Sequence, residues 1–145
     1  MSALVAAALF AAPLQAAPQA VPAPAPDVPV VTMDVAKARV ATVKLVWAAI
    51  ASGDEAALAR VVTPTATADI NGITGSLKLT ALAPLKSCTR TKPYQVNQTD
   101  VALTLTCTGV LPTETTAVVV FDGDKVAQVS AAHTVFVPPA QSELL

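Results

Sequence analysis

Three side chains of this sequence could contact a ligand or move a proton: Trp47, Tyr94 and His133. His133 is the single histidine, and the apolar/polar alternation of residues 126–137 places it on the same strand face as Val129. An imidazole titrates close to physiological pH and can act as a general base. The structural alternative is an imidazole at the rim of the domain, or one that is hydrogen-bonded to a backbone carbonyl. His133 is therefore a candidate acid/base residue.

Trp47 and Tyr94 complete the predicted ligand-binding set. Trp47 lies on the apolar face of a predicted helix, where it could form a hydrophobic wall for a ligand, and a plain core role is the alternative. Tyr94 is the single tyrosine, and its phenol could donate a hydrogen bond to a ligand oxygen. An exposed or hydrogen-bonded strand tyrosine is the alternative. If the protein were an enzyme, His133 and Tyr94 would be its catalytic residues.

The carboxylates do not form the pair that acid–base catalysis commonly uses. Asp69 alternates with Ile70, so it faces water if Ile70 is buried. Three further carboxylates lie in predicted turns, where short acidic side chains bond to the backbone: Asp100, Asp122 and Asp124. The sequence also lacks a glycine-rich phosphate loop and the HExxH and GxSxG motifs. We therefore predict no catalytic residues, no metal site and no cofactor.

The two cysteines, Cys88 and Cys107, are predicted to form a disulfide. Residues 94–98 and 101–109 look like two strands joined around Asn97 to Asp100. Folding the chain about that turn brings Cys88 close to the position opposite Cys107. A zinc site is not expected, because two cysteines and one distant histidine do not supply four ligands.

A locally basic segment occurs in a chain whose net charge is −1. No acidic residue lies between Asp69 and Asp100, whereas four basic residues do: Lys78, Lys86, Arg90 and Lys92. Such a segment could meet an anionic ligand, a cell-envelope polymer or a lipid headgroup, although a solvated face is the favoured interpretation. The balanced total charge predicts no nucleic-acid partner.

The first 26 residues contain no charged side chain, and residues 3–12 have the length of a signal-peptide apolar region. We predict a signal peptide over 1–17, an Ala/Pro-rich linker over 18–34, a domain over 35–138 and a C-terminal tail over 139–145. The expected location is secreted or periplasmic. The first basic residue is Lys37, so the alternative is an Ala/Pro tail on a cytosolic protein. No membrane span is expected, because Pro13 and Pro18 interrupt the apolar run.

The order of predicted elements indicates an α+β domain. The helix over 35–51 carries Val40, Val43 and Ile50 on the face that also holds Trp47. Gly53 should end it, and Asp54 should cap a second, short helix. Beyond residue 64 the hydrophobic period changes to two, and Asn71-Gly72 predicts a tight turn. N-terminal helices followed by strands predict helices packed in a curved antiparallel sheet.

The segment LVWAAIASGDEAALARVVTPTATA, residues 45–68, resembles the opening of nuclear-transport-factor-2-like (NTF2-like) domains. This superfamily includes ketosteroid isomerase and the SnoaL-like polyketide cyclases. The segment FDGDKVAQV, residues 121–129, resembles the late hairpin of the same fold. The resemblance implies a cystatin/NTF2-like cone in which the strand face of His133 lines the concave side and the helix of Trp47 closes it. These domains often carry an acidic residue where this chain has Thr65.

The resulting functional prediction is non-catalytic binding of a small apolar ligand or a protein partner. One alternative is a small SnoaL-like or ketosteroid-isomerase-like enzyme that uses His133. Another is a structural module that forms a homodimer through the outer sheet face. Residues 118–121 are all apolar, which fits a covered outer face. The pattern leaves open whether Val118 and Val120 or Val119 and Phe121 point inward, because a one-residue change in the next loop exchanges them.

Overall fold

The computed structural model describes residues 30–134 and 140–145. The predicted signal peptide, residues 18–29 of the predicted linker and residues 135–138 at the end of the predicted domain lie outside these residues. Within the described part, no helix is both long enough and apolar enough to cross a membrane.

Two helices open the described chain. Helix α1, Met33–Ser52, begins where the Thr32 hydroxyl accepts a hydrogen bond from the Val35 N–H at 3.2 Å. It ends at Gly53, whose φ of 73° is the left-handed conformation of a helix C-cap. Helix α2, Glu55–Val61, begins at Asp54, which accepts from the Ala57 N–H at 3.0 Å. The predicted caps of both helices are therefore confirmed.

Within the described residues, eight strands form one sheet behind these helices. The strands are β1 Val62–Ile70, β2 Ile73–Ser76, β3 Cys88–Arg90, β4 Tyr94–Val96, β5 Asp100–Cys107, β6 Glu114–Asp122, β7 Lys125–His133 and β8 Ser142–Leu144. A short helix α3, Leu79–Leu82, and a 3-10 turn, Ala83–Ser87, connect β2 to β3. The strand order is β2-β1-β7-β6-β5-β4-β8, and β3 pairs with β5 beside β4. The predicted α+β class is confirmed.

The sheet departs from the predicted antiparallel arrangement at one pair. Strand β1 runs parallel to β7, whereas the other pairs are antiparallel. A parallel pair requires a long crossover, and here the crossover runs from β2 through β6. Strand β8 falls in the segment predicted as a tail, and it pairs with β4 over Tyr94–Val96. Neither pairing has a local signal, because both join segments far apart in the chain.

The core lies between α1 and one face of the sheet, which we call the inner face. Val119 and Phe121 point inward, so Val118 and Val120 point to the opposite, outer face. A β-bulge in β7 pairs Phe121 with Val126 and Val120 with Gln128, so Ala127 has no direct partner. The strict alternation that puts His133 on the face of Val129 would also turn Ala127 inward, and this expectation is wrong. The extra residue of the bulge turns Val126 inward instead, and Val126 is fully buried.

Candidate functional site

Side chains fill the space between α1 and the inner face. Val43 and Val46 of the helix belong to one buried cluster with strand residues that include Leu103, Val119 and Val129, and each of these five is at most 2 % exposed. Five clefts on the described part of the molecule open to solvent, and neither Trp47 nor Tyr94 lines any of them. No closed cavity bordered by Trp47 and His133 is among these clefts. A small-molecule site would normally enclose about 300 Å³ or more.

Trp47 is half-buried and packs against the main hydrophobic core. It lies on the flank of α1 rather than at the centre of the buried face, which belongs to Val43 and Val46. The contact with the core supports the structural role for the indole.

Tyr94 lies in β4, is 7 % exposed and holds two cations against its ring. The Arg90 guanidinium carbon is 4.1 Å from the ring centroid, and the Lys44 Nζ is 5.9 Å from it. Both distances are within the range of cation–π attraction. Arg90 also donates to the Lys92 carbonyl oxygen at 2.7 Å. The sequence indicates the basic segment but no link between it and Lys44, because the helical spacing places Lys44 only on a solvent face.

His133 is the last residue of β7 and pairs with Thr115 of β6. Thr115 is fully buried, and Ala131 two residues before His133 is 2 % exposed, yet His133 itself is exposed. The sheet ends there, so no described element covers the imidazole. Strands β5 and β6 lie between His133 and Tyr94. Three strand spacings amount to about 14 Å, too far for the two residues to share one proton transfer.

The outer face of the sheet carries an uncharged centre. Its side chains come from the three middle strands and are Ala102, Thr104, Thr116, Val118, Val120, Gln128, Ser130 and Ala132. A cleft of about 480 Å³ crosses this centre beside Val118 and Ser130 and extends to His133 and Asp69. The Asp69 carboxylate accepts from the Gly72 N–H at 3.1 Å, which gives it a role in the turn. The helices lie on the inner face, and within residues 30–134 and 140–145 no element covers this surface.

The predicted disulfide is present. Cys88 of β3 lies directly opposite Cys107 of β5, with the two Cα atoms 4.0 Å apart. Neither sulfur is available as a metal ligand, and among the described residues no three His, Cys, Asp or Glu side chains form a group that could hold a metal ion.

No protein-family model matches the sequence, and no curated protein sequence matches it. Solved structures do. An NTF2-like protein of unknown function from Burkholderia xenovorans is 17% identical with a TM-score of 0.50, and the match covers 71% of this chain and 89% of that one. An uncharacterised cystatin-fold protein from Novosphingobium aromaticivorans is 21% identical, with coverage of 66% and 97% and a TM-score of 0.48.

A third similar structure, from Shewanella frigidimarina, is named as a candidate ketosteroid isomerase. It is 19% identical, and the match covers 66% of this chain and 94% of that one with a TM-score of 0.45. At such identities a match concerns the fold and not the activity. The chain therefore has the NTF2-like fold that residues 45–68 and 121–129 led us to expect.

Proposed function

We propose that the protein is an exported, non-catalytic NTF2-like module that assembles with a second copy of itself through the outer face of its sheet. The observation that carries this proposal is the uncharged centre of that face. Protein interfaces typically deplete charge at the centre and keep it at the rim. Val118 and Val120 supply the apolar part of the centre, and threonine, serine and alanine side chains keep the remainder flat.

Side chains fill the inner side of the sheet, which favours binding at the outer face over binding in an internal pocket. Val43 and Val119 close the space in which a ligand would lie on the inner face. An acid/base role for His133 together with Tyr94 receives no support from their separation. The disulfide between Cys88 and Cys107 supports export, because such bonds persist mainly in oxidising compartments.

The test is the oligomeric state of two matched variants. Val118→Glu places a charge at the centre of the proposed interface, whereas Val110→Glu places the same charge on a loop residue that is 82 % exposed. We expect the wild type and Val110→Glu to sediment as dimers and Val118→Glu to sediment as a monomer with an unchanged circular dichroism spectrum. A wild-type protein that stays monomeric at a concentration of about 100 μM would contradict the proposal. Its dimer dissociation constant would then be higher than that of specific dimers with an interface of standard size.

A further inference from the structure

A group of basic residues from two separate parts of the chain meets on one side of α1. Lys37 and Lys44 lie one above the other on the exposed surface of the helix. Arg90 ends β3, Lys92 follows it, and the contact of Arg90 and Lys44 with the Tyr94 ring joins the two parts. Among the described residues, none of these four cations forms an ion pair with a carboxylate. Their charge is therefore available to an external anion.

The two helix lysines also border a cleft with an apolar floor, which we call the basic cleft. It has a volume of about 330 Å³ and is lined by Lys37, Val40, Ala41, Lys44, Leu144 and Leu145. The lining contains no acidic side chain. Strand β8 forms one wall because it pairs with β4, the strand that carries Tyr94. A cationic rim above aliphatic side chains is complementary to a molecule that has a negative head and an aliphatic body.

The Tyr94 ring positions the cationic groups that would bind a carboxylate. The Arg90 guanidinium lies over the ring, and one of its N–H groups donates to the Lys92 carbonyl oxygen, so two contacts restrict its position. A guanidinium held in this way can donate to a carboxylate with little further loss of conformational freedom. Lys44, which borders both the ring and the cleft, is the second donor.

We propose that the basic cleft binds an amphiphilic carboxylate, a dissolved aliphatic acid whose carboxylate contacts Lys44 and Arg90 while its chain lies on Val40, Ala41 and Leu144. Binding is non-covalent. The cleft is on the helix side of the molecule, whereas the proposed assembly surface is on the outer face. A failure of the dimer test would therefore leave the proposed carboxylate site unaffected, and the reverse also holds.

The experiment is an NMR titration of the full folded domain with decanoate below its micellar concentration. We expect amide shifts that saturate and that cluster at Lys44, Arg90 and Leu144. Decanol has the same chain without the charge, and acetate has the charge without the chain, so both should bind at least about tenfold more weakly. Equal binding of decanol and decanoate would overturn the proposal, as would saturable shifts confined to other residues.

Variants distinguish decanoate binding in the cleft from non-specific attraction to positive charge. Lys44→Gln combined with Arg90→Gln should weaken decanoate binding about tenfold or more, because both charge-assisted contacts to the carboxylate are lost. Lys78→Gln changes an exposed lysine outside the cleft and should leave the affinity unchanged. Vesicles of anionic phospholipid form the last arm. Binding to vesicles without binding to monomeric decanoate would overturn the proposal in favour of a membrane-surface role.

Discussion

At the scale of single residues, the end of β7 decides what His133 can do. Alternation places His133 on the inner side with Val129 and Ala131. His133 is, however, the last residue of β7, and the helices do not cover this end of the strand. The imidazole is consequently exposed, whereas Val129 is fully buried. The two residues lie on one strand face, but they should contribute very differently to the free energy of unfolding.

His133→Ala should change the free energy of unfolding by no more than about 0.5 kcal/mol, as for other exposed side chains without special contacts. Val129→Ala, on the same strand face, should cost about 2 kcal/mol, because it removes two buried methyl groups and leaves a small cavity. Urea unfolding followed by circular dichroism measures both values. A cost for His133→Ala equal to that of Val129→Ala would show that the imidazole is packed rather than at the rim.

At the scale of elements, the short strand β3 depends on its neighbour β5. Only three residue pairs join them: Cys88–Cys107, Thr89–Thr106 and Arg90–Leu105. The disulfide adds a covalent connection across 19 residues of sequence. It also holds Arg90 at the edge of the sheet beside Tyr94, so this element contributes to the basic cleft.

The double substitution Cys88→Ala and Cys107→Ala should reduce the free energy of unfolding by about 3 kcal/mol, the loop-closure entropy of a bridge of this span. Denaturant unfolding of the variant should match that of the wild type treated with a reducing agent. A loss below about 1 kcal/mol would show that β3 is held by its backbone pairing and packing and not by the bridge.

At the scale of the whole molecule, acidic residues surround the uncharged centre of the outer face. Five carboxylates occupy outward positions at the ends or edges of the strands: Asp69, Asp100, Glu114, Asp122 and Glu143. Lys125, which pairs with Asp122, places a positive charge at the same rim, and its ammonium donates to the Arg60 carbonyl oxygen. The five carboxylates outnumber this cation. Two copies that meet through this face therefore bring like charges together at their rims.

The proposed dimer should become several-fold tighter when salt is raised from about 0.01 M to 0.15 M, because screening weakens the repulsion between the two acidic rims. Sedimentation equilibrium at a series of salt concentrations measures the change. A dimer that weakens as salt is added would indicate attraction between opposite charges and hence a different contact surface.

Local rules predicted much of the fold. The left-handed Gly53 and the hydrogen-bonding side chain of Asp54 act within a few residues of themselves, so both helix junctions followed from the sequence. Asn71 and Gly72 have φ values of 53° and 89°, as the predicted two-residue turn requires. The candidate site was less predictable. Tyr94 and Lys44 are 50 positions apart in the sequence, and no local pattern indicates that they touch.

The sequence by itself determined the class of fold, the ends of the helices, the tight turn and the pairing of Cys88 with Cys107. Each of these follows from the conformational preferences of short segments or from the alternation of one hairpin. The tertiary structure alone decided that Val119 and Phe121 point inward, that β1 lies parallel to β7, and that α1 fills the inner face and carries Lys44 to Tyr94. The physical reason is that these features depend on side-chain packing between segments distant in the chain. The free energy of that packing depends on residues from several segments at once, so no single segment determines it.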